Sequence, residues 1–465
     1  MTELFEHQKQ GIEFLKATGK AILADSMGLG KTRQAIVAAK ETTGGAIVIC
    51  PASLKINWQR EINYVYPTDS VVIVQGSKMP KLNSDSWIVI NYDILKKQPW
   101  LYQELNRLGT LILDEAHYIK GKSMRAKATI DLSLIAKQVY CLTGTPIMNR
   151  PIELYNLLVA IGHHSGKIRS TYAKRYCGAF KRSFFHKGLK RMLYFTDESG
   201  ATHLDELRDL IKPVFLRRKK EEVLDLPERI ITIEECKLAP EYKREYQTAW
   251  DSYLEFIKTS IMTEQQMDNI LMARHLVEIQ KLKQVCSQAK VSDIARDIEN
   301  AVDQEEKVIV FSQYTDTINL LAAEMMGKGI SYETLTGQDS MQERQAAVDK
   351  FQDDPETKVF IANIKAGGVG ITLTAASIVM FADMDWSPEV HNQAIDRAHR
   401  IGQNKMVNAY FYVCPDTIED DIIQILNDKK GVLDKVVEGV DESIKTKSTQ
   451  MEFLKRIAKK VAVDN

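Results

Sequence analysis

AILADSMGLGKTRQAIVAAKE, residues 21–41, places a glycine-containing loop between a short apolar run and a helical pattern. In this order, strand AILA, loop DSMGLGKT and helix RQAIVAAKE, the loop presents free backbone N–H groups and the positive end of a helix dipole to an anion. The stretch therefore predicts a phosphate-binding turn in an α/β sheet. Asp25 stands at the first glycine position of the strict G-x-x-x-x-G-K-T pattern, and the alternative is a simple turn with a helix cap.

Apolar runs of the same kind recur in two separate parts of the chain. Near-continuous runs of Val, Ile and Leu between helical patterns predict buried strands of parallel sheets. We therefore predict an α/β protein with two doubly wound parallel-sheet lobes and helical insertions between them. The early runs are AILA (21–24), AIVIC (46–50), SWIVI (86–90), TLILD (110–114) and VYCLTG (139–144), and the late runs are KVIVFS (307–312), ISYETL (330–335), KVFIAN (358–363) and SIVMFAD (377–383).

The 465 residues suit two or three domains, since a domain averages about 150 residues. We expect a first lobe over residues 1–230 with a basic helical protrusion at about 155–200. A helical linker or second protrusion follows over 231–300, and the second lobe covers 301–440. Residues 441–465 contain the amphipathic pattern MEFLKRIAKKVAV, which predicts a helix that packs back onto the body.

The composition limits the possible functions. Lys plus Arg equal Asp plus Glu at 62 each, so a site for a polyanion has to be a local patch. The six cysteines are scattered without a C-x-x-C pair, which disfavours zinc sites and disulfides and indicates a reducing, intracellular compartment. Neither a signal peptide nor an apolar run of about 20 residues is visible in the sequence, so we expect no membrane contact.

The loop and the acidic pair downstream of it predict a site for ATP and Mg²⁺. Lys31 is placed to neutralise the β/γ oxygens, and the Thr32 hydroxyl is a candidate ligand of Mg²⁺. DEAH (114–117) follows an apolar strand, so its carboxylates lie at the edge where α/β sheets bind ligands. We predict that Asp114 holds the metal and that Glu115 is the general base; alone, the pair is equally consistent with a turn. The loop residues predicted to contact the nucleotide are Met27, Gly28, Leu29, Gly30, Lys31 and Thr32.

Two further loops follow strands. LTGTPIMN (142–149) offers Thr143 and Thr145 as hydroxyl relays between the nucleotide and a bound polymer, with a strand-ending turn as the alternative. NIKAGGVGITL (363–373) offers Gly367, Gly368 and Gly370, where a phosphate or another backbone can approach closely. Gly370 is the candidate nucleotide contact here, and Lys365 the candidate contact to a nucleic-acid phosphate.

QAIDRAHRIGQ, residues 393–403, places Arg397 and Arg400 three residues apart. On a helix this spacing puts both guanidiniums on one face; as an isolated segment it would be a surface helix of mixed charge. Together with the phosphate loop and the acidic pair, it completes the parts of a phosphoryl-transfer site. We predict that both arginines act as fingers that reach the γ-phosphate when the lobes close on ATP.

Residues 154–196 contain no Asp or Glu but many Lys and Arg, interleaved with Tyr and Phe. We interpret this segment as a local nucleic-acid patch, since phosphate contacts dominate such binding. The alternative is a solvated helical face whose aromatic residues belong to the core. The candidate DNA contacts in it are Lys174, Arg175, Lys181 and Arg182.

With these parts in order, the chain resembles the Swi/Snf-type ATPases of helicase superfamily 2 over nearly its whole length. The resemblance implies two RecA-like lobes, adenine recognition by Gln8, a role for Gln393 beside the arginine fingers, and a DNA-facing Trp386, with core packing as the alternative for Trp386. Ser26, Lys365 and Ser387 depart from the residues common in the family. The similar elements are LFEHQKQGIEFL (4–15), MGLGKT (27–32) with Gln34 behind it, CPASLKINW (50–58), GTPIMNRPIELYNLL (144–158), FLRRKKEEVL (215–224), DMDWSP (383–388) and DRAHRIGQ (396–403).

The resemblance implies a DNA-stimulated ATPase that translocates on double-stranded or branched DNA with little sequence specificity. The stretch CPASLKINWQREI resembles the fork-remodelling, strand-annealing branch most, and we expect a motor without bromodomains, chromodomains or fork-reading modules. We therefore expect a monomer that serves DNA repair or replication in the cytoplasm of a bacterium or phage-infected cell, or in a nucleus if the source is eukaryotic. The alternatives are a strand-separating helicase, a motor subunit of a restriction or defence complex, and an ATP-controlled DNA clamp.

Overall fold

The chain divides between residues 225 and 226 into two units, called here the first lobe and the second lobe. The computed structural model describes residues 4–82, 86–144, 150–186, 191–224, 226–259, 269–367, 371–424 and 426. Thr145, Gly368, Gly370 and the proposed C-terminal helix lie outside the described residues. Among the described residues, no helix combines the length and the apolar character needed to cross a membrane.

The first lobe contains a seven-stranded, all-parallel sheet in the order β3-β4-β2-β5-β6-β1-β9. Its strands, with the hairpin β7–β8 that stands apart from the sheet, are β1 (Lys20–Leu23), β2 (Ile47–Cys50), β3 (Ser70–Ile73), β4 (Ser86–Asn91), β5 (Thr110–Leu113), β6 (Gln138–Leu142), β7 (Phe180–His186), β8 (Arg191–Asp197) and β9 (Phe215–Leu216). Its helices are α1 (Glu6–Thr18), α2 (Lys31–Thr43), α3 (Lys55–Val65), α4 (Leu101–Leu108), α5 (Met124–Ile135), α6 (Ile152–Ala160), α7 (Arg169–Tyr176), α8 (Leu204–Ile211) and α9 (Lys220–Val223).

The second lobe contains a six-stranded parallel sheet in the order β10-β15-β14-β11-β13-β12. Its strands are β10 (Arg229–Glu235), β11 (Val308–Ser312), β12 (Tyr332–Leu335), β13 (Val359–Asn363), β14 (Ile378–Phe381) and β15 (Val407–Val413). Its helices are α10 (Pro240–Thr259), α11 (Asn269–Ala289), α12 (Val291–Asp303), α13 (Thr315–Gly327), α14 (Met341–Asp353), α15 (Ile364–Gly367) and α16 (Pro388–Ile395).

The predicted fold class is confirmed, since two parallel-sheet lobes with helices are present, and each apolar run quoted above contains a strand. In β2, β5 and β11 every residue is buried, and β1, β6, β13 and β14 each have one half-buried residue, at an end. Continuous burial explains why they read as unbroken apolar runs. The structure adds β10 within the stretch predicted as helical linker, and α11 and α12 pack into the apolar core of the second lobe.

The basic segment contains helices, α6 and α7, in its first part, and its last part forms the antiparallel hairpin β7–β8, which the sequence did not predict. Its strands pair with each other and stand outside the seven-stranded sheet. Helices α7 and α8 flank the hairpin in the chain.

Candidate active site

The loop between β1 and α2 has the backbone of a phosphate cradle. Gly28 and Gly30 adopt positive φ angles of 86° and 74°, a region that side chains with a Cβ rarely occupy. At Gly30 a Cβ would also lie 2.3 Å from Nε2 of Gln8. Helix α2 begins at Lys31, so its first N–H groups point to the position an anion would take.

Lys31 bends back onto its own loop. Its Nζ donates to the backbone carbonyls of Asp25 at 2.6 Å and Ser26 at 3.1 Å. The ammonium group is thereby kept beside the loop at a point where nucleotide phosphates can replace neutral carbonyl acceptors.

Asp25, the residue that breaks the glycine pattern, is fully buried and pairs with Arg218. Nε of Arg218 donates to Oδ1 of Asp25 at 3.0 Å, and its other nitrogens reach Gln34 Oε1 at 3.0 Å and the backbone carbonyl of His7. Gln34 also donates to the Leu29 carbonyl at 3.1 Å. Arg218 therefore joins the segment after β9 to both flanks of the phosphate loop, a role that the sequence analysis missed.

The first turn of α1 contacts the same loop. His7 Nε2 lies 3.1 Å and Gln8 Nε2 3.5 Å from the Leu29 carbonyl oxygen. The Gln8 Oε1 accepts from the backbone N–H of Phe5 at 3.2 Å. Burial is the main cause that lowers the pKa of His7, so its ring is neutral near pH 7. Gln8 thus lies against the loop, and its role towards adenine stays a prediction.

Asp114 and Glu115 follow β5 directly. Oδ2 of Asp114 accepts from the indole N–H of Trp58 at 2.7 Å, and Oδ1 accepts from the backbone N–H of Glu115 at 3.0 Å. Burial, and after it the charge of Glu115, raises the pKa of Asp114 to about 6. Two carboxylates that repel each other out of water fit a divalent cation, because a cation removes the repulsion that raises this pKa. The residues present therefore fit Mg²⁺.

Glu115 is held in a left-handed backbone conformation, with φ of 48°. Its Oε2 lies 3.2 Å from Nδ1 of His117, and the same nitrogen lies 3.5 Å from the Thr143 hydroxyl. Thr143 follows β6, which lies between β5 and β1 in the sheet. At the next residue, Gly144, a Cβ would be 2.7 Å from the Met27 side chain and 3.7 Å from Lys31 Nζ. The ends of β1, β6 and β5 therefore bring the loop, Thr143 and the acidic pair together.

In the second lobe, Arg397 and Arg400 lie beyond the helix on which the sequence analysis placed them. Helix α16 ends at Ile395, and beyond it the carbonyl of Arg397 accepts from the N–H of Leu373 at 2.9 Å. The Arg397 side chain is buried and donates to the carbonyl oxygens of Gln393 at 3.2 Å and Ile371 at 3.5 Å. Arg400 donates to the Thr372 hydroxyl at 3.0 Å. Tertiary contacts, not helical spacing, position both guanidiniums.

The glycine loop of the second lobe is described only in part. A Cβ at Gly367 would lie 2.9 Å from both Ala362 and the Phe311 ring, so this glycine is required for packing rather than for the approach of a phosphate. Lys365 is exposed, and its backbone N–H donates to Asn363 at 3.0 Å. Its side chain is accessible to an anion.

Trp386 belongs to the core of the second lobe, the alternative to the DNA contact implied by the resemblance. Its ring is 9% exposed, and Nζ of the buried Lys283 lies 5.0 Å from the ring centroid. Lys283 also donates to the Met384 carbonyl at 2.7 Å. Stacking on a base needs an exposed ring face, which Trp386 does not offer in this structure.

Acidic residues just outside the basic segment compensate part of its charge. Arg175 pairs with Glu206, and Arg182 pairs with Asp197 at 3.0 Å. These acids lie beyond residue 196, so a count over 154–196 could not include them. Lys174 and Lys181 are exposed, and they are the candidate phosphate contacts for which no ion pair is seen among the described residues.

The chain matches two known domain families. The SNF2-related domain matches residues 7–291, and the helicase conserved C-terminal domain matches residues 289–402. A homologue of the SWI/SNF-related matrix-associated actin-dependent regulator of chromatin subfamily A-like protein 1 from Caenorhabditis elegans is 30% identical over 93% of this chain and 62% of its own length. The human DNA annealing helicase and endonuclease ZRANB3 is 30% identical over 97% of this chain and 42% of its own length.

The chain thus spans less than two thirds of the length of these curated relatives. The solved Sulfolobus solfataricus SWI2/SNF2 ATPase core in complex with dsDNA is 26% identical over 94% of each chain, with a TM-score of 0.43. The family matches extend from the first turn of α1, through the phosphate loop and the acidic pair, to Gly402 beyond the two arginines. On these matches, the chain belongs to the SNF2-related family of helicase-like ATPases.

Proposed function

We propose that this ATPase binds Mg²⁺–ATP in the first lobe and uses hydrolysis to move along double-stranded DNA. The observation that carries the proposal is the meeting of the phosphate loop, Thr143 and the Asp114–Glu115 pair at the ends of three neighbouring strands. Phosphoryl transfer needs a phosphate-binding loop, a metal ligand and a general base. The loop, Asp114 and Glu115 are the candidates for these three roles.

The residues take the following roles in the proposal. Lys31 exchanges its two carbonyl acceptors for phosphate oxygens, and its charge offsets theirs. Thr32 and Asp114 hold Mg²⁺, which supplies positive charge to the phosphates. Glu115 orients the attacking water and accepts its proton, and the contact with His117 holds the carboxylate in place. Arg397 and Arg400 stabilise the charge of the transferring phosphoryl group, and Gln393 assists them.

For DNA, we propose contacts to phosphates through exposed lysines, chiefly Lys174, Lys181 and Lys365. Phosphate contacts carry no sequence information, so binding should be nonspecific in sequence and steeply dependent on salt. The relative named as a DNA annealing helicase supports a role in DNA repair or replication, in which the motor remodels branched DNA or protein–DNA complexes.

Steady-state ATPase rates with no DNA, single-stranded DNA, blunt duplex and forked DNA test the proposal. We expect duplex and fork to raise the rate, and Glu115→Gln to lower kcat by about 10² to 10⁴ on every DNA while ATP still binds. Displacement of a third strand from a triplex then reports translocation, and displacement of one duplex strand reports unwinding. Equal rates with and without every DNA would remove DNA stimulation and the motor function with it.

A further inference from the structure

The hairpin β7–β8 exposes aromatic side chains on a basic ribbon. It comprises seven antiparallel pairs, from Phe180 opposite Asp197 to His186 opposite Arg191. An isolated two-stranded hairpin is only marginally stable in water. This hairpin stands apart from the lobe's sheet and exposes aromatic rings to solvent. Contact with a binding partner would therefore stabilise it.

Both faces of the ribbon carry exposed rings. Opposite residues of an antiparallel pair share a face, so Tyr194 shares one with Ser183, and Phe195 shares the other with Arg182. Tyr194 is 75% exposed, the largest value among the large apolar and aromatic side chains that the structure describes. Phe180 and Phe195 are 53% and 47% exposed. Three exposed rings on one hairpin offer flat apolar surface to a partner.

The charge of the ribbon indicates which class of molecule it binds. The two strands contain the basic residues Lys181, Arg182 and Arg191, and their one acid is Asp197 at the end of β8. The guanidinium of Arg182 lies 4.9 Å from the centroid of the Phe180 ring and pairs with Asp197. Positive charge interleaved with planar rings is the surface that binds the phosphates and bases of nucleic acid together.

Unpaired bases fit this surface better than a duplex does. The flat faces of bases in a duplex are covered by their neighbours, so an exposed ring gains no stacking partner there. In a single strand each base offers a π-face, and stacking on an aromatic side chain strengthens binding regardless of sequence. The two ring-bearing faces of the ribbon provide stacking surface that duplex DNA leaves unused.

We infer that the β7–β8 hairpin is a binding site for unpaired DNA, with Tyr194 and Phe195 as stacking platforms and Lys181 as a phosphate contact. The inference rests on the proposed function, since it assigns the single-stranded part of a branched substrate to a surface of the first lobe. On this inference, DNA that carries an unpaired arm should bind more tightly than blunt duplex.

The test is binding of labelled single strand, blunt duplex and a fork with one unpaired arm, followed by fluorescence anisotropy. Tyr194→Ala and Phe195→Ala should each raise Kd for the single strand and the fork between about five-fold and 150-fold. Blunt-duplex Kd and the ATPase rate on saturating duplex should change less than about two-fold, since a stacking residue does not act on the paired region. Tyr194→Phe should keep near-normal binding because the ring remains.

Tyr102→Ala is the matched control, because Tyr102 is a 40% exposed tyrosine on α4 of the same lobe, and it should leave all three Kd values unchanged. Equal weakening on all three DNAs would reassign the hairpin to duplex phosphates, and unchanged binding in both alanine variants would reassign it to a protein partner. Either outcome overturns the inference while duplex-stimulated ATPase keeps the proposed function intact. Loss of stimulation by every DNA in the wild type would instead overturn the proposed function.

Discussion

The two lobes hold their functional side chains in different ways. In the first lobe, a buried ion pair between Asp25 and Arg218 joins the phosphate loop to the segment after β9. In the second lobe, Arg397 donates to backbone carbonyls and Arg400 to a hydroxyl. The guanidinium of the first lobe thus meets a buried carboxylate of the phosphate loop itself, whereas the contacts described for Arg397 and Arg400 are to uncharged acceptors.

The second lobe also contains a buried ion pair, but this pair is not part of its arginine segment. Lys290, which precedes α12, donates to Glu419 at 2.7 Å and to the Tyr412 carbonyl at 2.9 Å. Both side chains are almost fully buried. A buried ion pair therefore contacts the candidate site in the first lobe, whereas the buried pair in the second lobe lies in the core. This difference can be tested.

The largest expected effect is on turnover. Arg397→Ala and Arg400→Ala should each lower kcat by about 10³ to 10⁵, because each removes a positive charge from the transferring phosphoryl group. ATP binding should stay nearly intact, since Lys31 and its loop belong to the first lobe. Single-turnover kinetics and nucleotide titration measure the two quantities.

Arg344→Ala is the control for these variants. Arg344 belongs to α14 of the second lobe and donates to the carbonyl oxygens of Ala366 at 2.9 Å and Thr336 at 3.2 Å, contacts of the same kind as those of Arg397. We expect this variant to keep kcat within a few-fold. Normal turnover in both finger variants would end their assignment.

The next effect separates the two buried pairs. Arg218→Met and Lys290→Met should each destabilise the fold by about 3–5 kcal/mol, because each leaves a carboxylate buried without its partner. Only Arg218→Met should also raise KM for ATP at a temperature where both variants are folded, since Arg218 contacts the phosphate loop. Urea unfolding and ATPase kinetics measure the two effects. An unchanged KM in folded Arg218→Met would show that the pair supports stability alone.

A smaller effect concerns the metal. Trp58→Phe removes the indole N–H that donates to Asp114 at 2.7 Å, and loss of such an orienting donor costs about 10-fold to 100-fold in metal affinity. The Mg²⁺ concentration for half-maximal ATPase should rise by that factor. Trp87→Phe is the matched control, because Trp87 is equally buried and donates to Asp69 at 2.8 Å. An equal Mg²⁺ requirement in the two variants would contradict a positioning role for Trp58.

The sequence could predict features that are formed by neighbouring residues, but not contacts between residues that are far apart in the chain. The loop before Lys31, the acidic pair and each central strand are short stretches of consecutive residues. Their local patterns were therefore sufficient to locate them in the sequence. The pair between Asp25 and Arg218 joins residues 193 apart in sequence, and nothing near either residue indicates the other. Strand β10 was missed because its apolar stretch, IITI at 230–233, is short and precedes long helical patterns; at the edge of its sheet it mixes exposed and half-buried residues.

The segment after α16 shows how tertiary contacts override local pattern. Its spacing favours a continuous helix, yet the Arg397 carbonyl bonds to Leu373, and His399 Nε2 lies 2.8 Å from the Pro227 carbonyl. The chain therefore continues beyond Ile395 in turns that are tied to other parts of the lobe, and not in a regular helix. The basic segment illustrates the same limit, since the acidic partners of its Arg175 and Arg182 are Glu206 and Asp197, which lie beyond residue 196.

The smallest effect that we predict concerns pH and again contrasts the lobes. Burial, and after it the charge of Lys283, lowers the pKa of His391 from 6.5 to about 3, and its Nε2 accepts from the backbone N–H of Asp385 at 2.9 Å. Since the unfolded chain binds the proton more readily, stability that is present above pH 6.5 is lost as pH falls from 6.5 towards 3.

At pH 5 the loss attributable to His391 should be about 2 kcal/mol, as each pH unit below 6.5 costs about 1.4 kcal/mol. Urea unfolding at pH 7 and pH 5 measures it, and His391→Gln, which keeps an acceptor, should show a smaller difference between the two pH values. His275 in the same lobe also has a pKa lowered by burial, so the difference between wild type and variant, rather than the total acid effect, isolates His391. Identical pH dependence in both proteins would mean that His391 is not the group that makes the second lobe acid-sensitive.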